Sequence, residues 1–163
     1  MKALKAFRTR IYPSKAQIEK LNLNASIKRV ARNWGLGVRN GYYQWCKETL
    51  GPIDLNNLWN KVKGIQYPWT KDGDSQVPSV VFRDLHQAFQ HAFRRIKEGK
   101  DPGFPKFHGK VRSRQSFRTF FGKVSDDSDK IYYPKVGWIK LAEKEYMPPG
   151  KPKQLTLSLR AGR

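Results

Sequence analysis

Apolar residues recur at spacings of three and four between Val80 and Lys97, a pattern that places them on one face of an α-helix. They are Val81, Phe82, Leu85, Ala88, Phe89, Ala92, Phe93 and Ile96. The opposite face carries Arg83, Gln87, Gln90, Arg94 and Lys97. The helix leads into GKDPGFPKFHGK, a Gly/Pro-rich loop that carries three lysines. We therefore predict a helix with one side against a core and the other toward a negatively charged partner.

The charge of the whole chain points the same way. Lysine and arginine number 33 against 13 acidic residues, which gives a formal net charge of +20. A surplus of this size repels itself unless a polyanion neutralises it. Nucleic acid is the first candidate, because each phosphate contact releases counterions. We expect no membrane partner, since the chain has no long apolar run and no detached basic amphipathic helix.

The composition favours a folded protein in a reducing compartment. The 163 residues include five Trp, seven Tyr and nine Phe, enough bulky side chains for a core of one domain or two small ones. The single cysteine, Cys46, excludes an intramolecular disulfide and a cysteine zinc cluster within this chain. The first residues lack the apolar segment of a signal peptide, so we expect a compartment that holds nucleic acid.

The chain ahead of this helix begins with a predicted strand. Residues Leu4 to Tyr12 alternate, with Phe7 and Ile11 on one side and arginines on the other. Ser14 and Gln17 then have the spacing of a helix capping box, which predicts a short helix through Leu23.

Two further helices are predicted before the central one. Asn22–Ala25 has the composition of a break, and Ser26 can cap a second helix that runs to about Thr49. Glycines interrupt that helix at Gly35, Gly37 and Gly41, and each costs about 1 kcal/mol relative to alanine. We attribute them to helix–helix packing rather than to the approach of a nucleic-acid backbone. Asp54 can cap a third helix that closes at Gly64.

The last third of the chain predicts strands. Alternation and turn residues indicate strands at Ser116–Phe121, Lys130–Tyr133, Val136–Leu141 and Gln154–Arg160. Because a lone N-terminal strand rarely stands by itself, we expect it to pair with these later strands. The predicted fold is α+β: a small antiparallel barrel of oligonucleotide-binding type, residues 1–13 and 101–163, interrupted by a helical domain of residues 14–100.

Basic residues interleaved with aromatics are typical of nucleic-acid binding, because rings stack on unpaired bases while cations follow phosphates. We predict phosphate contacts at Lys5, Arg8, Arg10, Lys28, Arg29, Arg32, Lys106, Lys110, Arg112, Arg114, Arg118 and Lys135. We predict base stacking at Phe104, Phe107 and Trp138. For most other rings, a place in the core is the better interpretation.

No catalytic site is evident in the sequence, and no metal or cofactor is expected in this chain. Nuclease chemistry needs two or three carboxylates that converge on Mg²⁺. The one acidic cluster, Asp126, Asp127 and Asp129, lies between two predicted strands, where a solvated hairpin loop explains it. His86 and His91 are five residues apart, which is not the spacing of a helical metal pair.

Six short stretches follow one another in an order that is specific, although no single one would be. They are KAFRTRIYPSKAQIEKL (5–21), RNWGL (32–36), QVPS (76–79), GFPKF (103–107), SFR (116–118) and YPKVGW (133–138). Together they resemble the TnpB family of transposon-encoded RNA-guided DNA nucleases, which are considered ancestors of the type V CRISPR effectors.

The resemblance implies a wedge domain, the oligonucleotide-binding-type barrel, interrupted by a helical recognition domain. In the family these parts hold a structured guide RNA and read a short motif on target DNA duplex, and base pairing reads the rest. By position, the readers of this motif are Ser75, Gln76, Ser79, Gly122 and Lys123. A member of this family would work in the prokaryotic cytoplasm, associated with the nucleoid.

The family's nuclease domain, with its Mg²⁺-binding carboxylates and zinc ribbon, has no counterpart among these residues. We therefore expect that the chain binds without cutting, and that a nuclease domain or second chain follows residue 163. Two alternatives stay open. One is a sequence-specific DNA-binding regulator that needs no RNA and uses the helices in the major groove. The other is a structural RNA-packaging protein.

Overall fold

The computed structural model describes residues 5–110 and 115–159 of the chain. Its helices are α1 (Lys15–Cys46), α2 (Pro52–Gln66) and α3 (Gln76–Lys97), with a 3-10 turn at Pro68–Asp72. Its strands are β1 (Ile11–Tyr12), β2 (Gln115–Thr119), β3 (Lys123–Val124), β4 (Lys130–Tyr133), β5 (Gly137–Leu141) and β6 (Leu155–Leu159). The predicted α+β class is confirmed, with the helices grouped between the first strand and the others.

Helix α1 begins at the predicted capping box. The backbone N–H of Gln17 donates to Ser14 Oγ at 3.3 Å, and the Ser14 N–H donates to Gln17 Oε1 at 2.9 Å. The predicted break at Asn22–Ala25 is wrong, since α1 continues through it. The buried Asn24 amide donates to the Lys20 carbonyl at 3.0 Å, and its oxygen accepts from the Asp74 N–H at 2.8 Å. A tertiary partner therefore satisfies a residue that would otherwise favour a turn.

The other two helices begin earlier than predicted. Helix α2 starts at Pro52, and Asp54 caps it from inside, accepting the Gly51 N–H at 2.9 Å. It passes Gly64, the predicted end, and stops at Gln66. Helix α3 starts at Gln76, four residues before the predicted Val80.

The predicted apolar face of α3 packs into the core as far as Ala92. Phe82 and Leu85 are fully buried, whereas Phe93 and Ile96 are 39% and 48% exposed. Aromatic rings from α1 and α2 surround Phe82, with ring centroids 5.8 Å away at Trp34 and 6.2 Å away at Trp59. The face meets a core through most of its length, as its periodicity predicts.

Gly35 on α1 allows this contact. A Cβ built there would lie 2.9 Å and 3.0 Å from two carbons of the Phe82 ring. The helix-packing interpretation is therefore confirmed for Gly35. It is wrong for Gly37 and Gly41, where a Cβ would meet no described atom within 4 Å.

The strands form two antiparallel sheets. One has four strands in the order β1-β5-β4-β3, and the other pairs β2 with β6. The opening strand does pair with a later one, Ile11 opposite Leu141 and Tyr12 opposite Lys140. It is shorter than the predicted Leu4–Tyr12 segment, because Phe7 packs edge-on against the Tyr146 ring instead of joining the ladder.

The predicted closed barrel is not confirmed, since neither sheet closes on itself in the described part of the chain. The sheets meet through side chains, with the Phe117 and Tyr133 rings 5.2 Å apart. An isolated bridge joins Val124 of β3 to Gly150, in the segment before β6. A two-residue β1 offers too few backbone groups to continue the ladder around a barrel.

A buried polar position joins the helices to the sheet. Asp74, just before α3, is 4% exposed, and Tyr133 on β4 is fully buried. Burial, and secondarily the charge of Asp74, raise the pKa of the Tyr133 hydroxyl far above its ordinary value. Tyr133 is therefore neutral at every physiological pH.

Candidate nucleic-acid interface

The loop after α3 is attached to the middle of α1. The Asn33 amide donates to the His108 carbonyl at 3.0 Å, and Asn33 Oδ1 accepts the His108 N–H at 2.8 Å. The neighbouring Arg32 donates from Nε to His108 Nε2 at 3.0 Å. These three bonds hold the basic loop against the basic face of α1.

Two groups of predicted phosphate-binding residues converge as a result. Lys28, Arg29 and Lys110 line one cavity of about 340 Å³, together with Asn22, Ala25, Ser26 and Gln115. Lys28 also donates to Ser116 Oγ at 3.3 Å, which ties α1 to β2. We call this cavity the basic groove. Its three cations come from segments that are far apart in sequence.

A second cavity, of about 460 Å³, lies on the other side of Lys28, between α3 and the β2–β6 sheet. Arg118 lines it and forms an ion pair with Asp84 of α3, and its second nitrogen reaches Gln154 Oε1 at 3.4 Å. Arg118 is thus half-buried and held by protein acceptors, which leaves it less free for phosphate than its exposed neighbours.

Burial adjusts the ionisation of the residues where the loop meets α1. Desolvation lowers the pKa of Arg32, and the nearby charge of Asp84 partly opposes this effect. Desolvation, followed by the charges of Arg32 and Lys28, lowers the pKa of His108. A neutral imidazole is what the contact needs, since only unprotonated Nε2 can accept from Arg32.

The remaining predicted phosphate contacts lie elsewhere. Lys5, Arg8 and Arg10 are exposed on the segment before β1, and Lys135 is exposed in the β4–β5 turn, where it adopts a φ of 65°. Lys106 is exposed in the loop that His108 anchors. Arg112 and Arg114 lie outside the described residues. All of these phosphate contacts stay predictions.

The three predicted stacking rings differ in availability. Phe107 is 62% exposed, whereas Phe104 is 44% exposed and packs against the rings of Phe89 and Phe93 at 6.2 Å and 6.0 Å. Trp138 on β5 is 44% exposed, and the Tyr132 ring lies 5.5 Å away. Phe107 therefore offers the most open surface of the three, and Phe104 and Trp138 are equally exposed.

The predicted DNA-motif readers occupy two places. Ser75 and Gln76 lie at the start of α3, and the Ser79 hydroxyl, inside its first turns, donates to Asn56 Oδ1 at 2.8 Å. Gly122 is buried, where a Cβ would lie 2.8 Å from a Leu155 carbon, and Lys123 is exposed. Within the described residues, no hydrogen bond, ion pair or ring contact joins the two sets, so the reading role stays a prediction.

The acidic cluster is a hairpin loop between β3 and β4, as predicted. Ser125 Oγ donates to Asp129 Oδ1 at 3.0 Å and accepts the Lys130 N–H at 3.0 Å. Across residues 5–110 and 115–159, no group of three or more His, Cys, Asp or Glu side chains could hold a metal ion. Over the same ranges, no helix has the length and apolar character to cross a membrane.

A comparison with known families concerns the N-terminal segment, which includes Lys28 and Arg29 of the basic groove. Residues 1–47 match the family model HTH_OrfB_IS605, described as a helix-turn-helix domain. This N-terminal segment is therefore similar to an N-terminal domain of TnpB/OrfB transposase-associated proteins. The predicted resemblance is thereby confirmed over that part of the chain. No curated protein matches the chain.

The matched segment has a different shape here from the one that the description of the family model suggests. Its described residues form β1 and one uninterrupted helix, α1, of 32 residues. The next helix, α2, begins at Pro52, beyond the matched residues. Lys28 and Arg29 both belong to the matched segment, so this segment contributes one wall of the basic groove.

Sequence reasoning missed the residues that assemble the groove. Asn33 and His108 are 75 residues apart, and neither sits in a pattern that predicts their pairing. It also did not predict that Arg39 of α1 is buried, 4% exposed, with its guanidinium 4.1 Å from the Phe89 ring centre. The adjacent aromatic residues of α3 were the one available signal for this cation–π contact.

Proposed function

We propose that this chain is the nucleic-acid-binding part of a TnpB-like RNA-guided DNA endonuclease. It holds a structured guide RNA and inspects duplex DNA beside the target, and a nuclease domain or partner chain with Mg²⁺ performs the cutting. The convergence of α1 cations and loop cations on one basic groove is the observation that carries the proposal. The OrfB/IS605 match over residues 1–47 supports it independently.

The electrostatics favour a polyanion in this groove. Lys28 and Arg29 are adjacent on one helix, and Lys110 lines the same cavity. Like charges this close repel one another, and each phosphate they meet removes part of that repulsion while releasing counterions. The nearest carboxylate that acts on Arg32, Asp84, is already paired with Arg118.

Folded RNA fits the proposal better than duplex DNA alone. The basic surface occurs together with exposed rings, Phe107 and Trp138. RNA loops and bulges offer unpaired bases to such rings, whereas the bases of an intact duplex are already stacked on one another. The wedge-type barrel and the reading of a DNA motif at Ser75, Gln76, Ser79 and Lys123 belong to this proposal as well.

A DNA-binding regulator that needs no RNA is the second candidate, and the description of the matched family model favours it. Helix-turn-helix proteins place a second helix in the major groove directly after a tight turn. The continuous α1 leaves the described part of residues 1–47 without that turn. This arrangement weighs against the second candidate.

Competition binding with the purified full chain separates the candidates. RNA that co-purifies is sequenced, transcribed and compared with a length-matched random duplex DNA by fluorescence anisotropy. We expect tighter binding of the folded RNA, and DNA sequence selectivity only when that RNA is present. Selection of one DNA sequence by RNA-free protein from a randomised library would establish the regulator instead. Equal weak binding of every nucleic acid would contradict both.

A further inference from the structure

The four-stranded sheet presents an ordered arrangement of side chains on its outer face. Residues directly opposite one another in antiparallel strands share a face, as do residues two apart along a strand. The register gives one row of Lys123, Tyr132 and Trp138, and a second row of Lys130, Lys140 and Tyr12. We call these six residues the sheet platform.

Burial confirms that the platform faces outward. The intervening residues Val124, Ile131, Ile139 and Leu141 are each at most 3% exposed and belong to the core. Tyr12 is 62% exposed and Trp138 is 44% exposed. The three lysines are exposed as well. Two large aromatic side chains thus lie exposed on one face of a sheet whose other face packs into the core.

The rings are arranged so that each can accept a separate partner. Tyr132 and Trp138 pack at an interplanar angle of 61° with centroids 5.5 Å apart, so neither ring covers the full face of the other. Tyr12 is the diagonal neighbour of Trp138, a relation that separates Cβ atoms by about 7–8 Å. Rings at this spacing can hold neighbouring flat groups side by side.

The charges of the platform select for an anionic partner. Lys123, Lys130 and Lys140 surround the rings, and a partly exposed ion pair joins Lys130 to Asp129 at 3.9 Å. Such a pair contributes little and is readily exchanged. Other acidic side chains, Asp126, Asp127, Glu143 and Glu145, lie in the loops that border the sheet rather than on its face.

We propose that the sheet platform binds unpaired nucleotides, stacking bases on Trp138 and Tyr12 while the three lysines contact their phosphates. Aromatic rings interleaved with lysines on an open sheet suit this ligand, because every base has a face that can stack. The site is separate from the basic groove, which contacts phosphates. The proposal deepens the proposed function, because it assigns single-stranded segments of the nucleic acid to the sheet platform and phosphate binding to the basic groove. Only the identity of the biological ligand rests on the proposed function.

A second copy of the chain is the other occupant that an exposed aromatic face could take. Packing two platforms together would bring six lysines into one interface without carboxylates on either face. Like charges that face each other across an interface cost several kcal/mol. The charge therefore favours the nucleic acid over self-association.

The test uses the full chain and three short probes: oligouridine, the same length of abasic ribose-phosphate strand, and a duplex. Trp138→Ala removes the ring and Trp138→Phe restores an aromatic face. Trp45→Ala, which removes an 88% exposed tryptophan outside the platform, is the matched control. We expect Trp138→Ala to weaken oligouridine binding by about 5-fold to 100-fold. Binding of the abasic strand and the duplex should change little, and Trp138→Phe should recover most of the loss.

Three outcomes would overturn the platform. They are an unchanged affinity for oligouridine, an equal loss for the abasic strand and the duplex, or a wild-type dimer in light scattering that Trp138→Ala dissociates. The proposed function is tested separately by folded RNA competition, so a platform that binds oligouridine survives even if the guide-RNA preference fails. Thermal unfolding of each variant checks that the exposed substitution leaves the fold intact.

Discussion

Replacing Gly35 with alanine tests the close packing of α1 against α3 in the core. The new Cβ would stand 2.9 Å from a Phe82 ring carbon, whereas carbon atoms pack best at about 3.5–4.0 Å. The ring cannot move away freely, because it is fully buried among Trp34, Trp59 and Leu85. The substitution therefore forces the two helices or the ring apart.

Two effects of opposite sign set the magnitude. Alanine is favoured over glycine inside a helix by about 1 kcal/mol. Overpacking a filled core costs about 1–3 kcal/mol. Gly37→Ala in the same helix is the matched control, since its Cβ would meet no described atom within 4 Å and gains the helical preference alone. The free energies of unfolding of the two variants should therefore differ by about 1–3 kcal/mol.

Urea unfolding followed by circular dichroism measures this difference. Gly37→Ala should raise the stability of the wild type by up to about 1 kcal/mol, equivalent to about 2–4 °C in Tm for a chain of this size. The free energy of unfolding of Gly35→Ala should be lower than that of Gly37→Ala. Equal stabilisation by both substitutions would refute the close approach of α1 to Phe82.

Three further predictions concern the polar contacts. Asn24→Ala leaves the buried Asp74 N–H without an acceptor and should lower the free energy of unfolding by about 1–3 kcal/mol in urea titrations, whereas an unchanged value would contradict the bridge. Folding lowers the pKa of His108, so the unfolded chain takes up a proton at a higher pH than the folded chain. The free energy of unfolding is therefore at its full value above the unfolded-state pKa, near 6.5, and declines as pH falls below it. His108→Gln should flatten the decline of stability between pH 7.5 and 5.5, and an unaltered pH profile would count against this contact. Asp84→Asn removes the carboxylate that holds Arg118 in a partly exposed ion pair, so it should cost less than about 1 kcal/mol of stability. Arg118 is then free for phosphate, and the affinity for duplex DNA in anisotropy assays should rise. Weaker binding would contradict the account.

The sequence predicted the features that depend on local patterns. The three-and-four spacing identified α3, and the Ser14–Gln17 pair marked the start of α1. The strands predicted at Lys130–Tyr133 and Val136–Leu141 correspond to β4 and β5. These patterns record which side of an element meets the core, and no distant partner is needed to interpret them.

The features that sequence missed depend on distant partners. Asn24 has the character of a turn residue until Asp74, 50 residues away, satisfies its side chain. The convergence of α1 and the loop rests on Asn33 and His108, which no periodicity connects. Only the pairing register shows that Tyr12 and Lys140 lie beside Trp138, because β1 and β5 are separated by the whole helical block. Tertiary contacts thus decide both the helix boundary and the site.

The salt dependence of duplex and RNA binding tests the basic groove most directly. Arg29→Gln combined with Lys110→Gln removes two cations that line the groove, and Lys61→Gln combined with Lys71→Gln removes two exposed lysines outside it. The groove variant should lose about 1.8 from the slope of log affinity against log salt on duplex DNA, and about 1.4 on single strands. The control should keep the wild-type slope. An unchanged slope in the groove variant, or an equal loss in the control, would contradict the account.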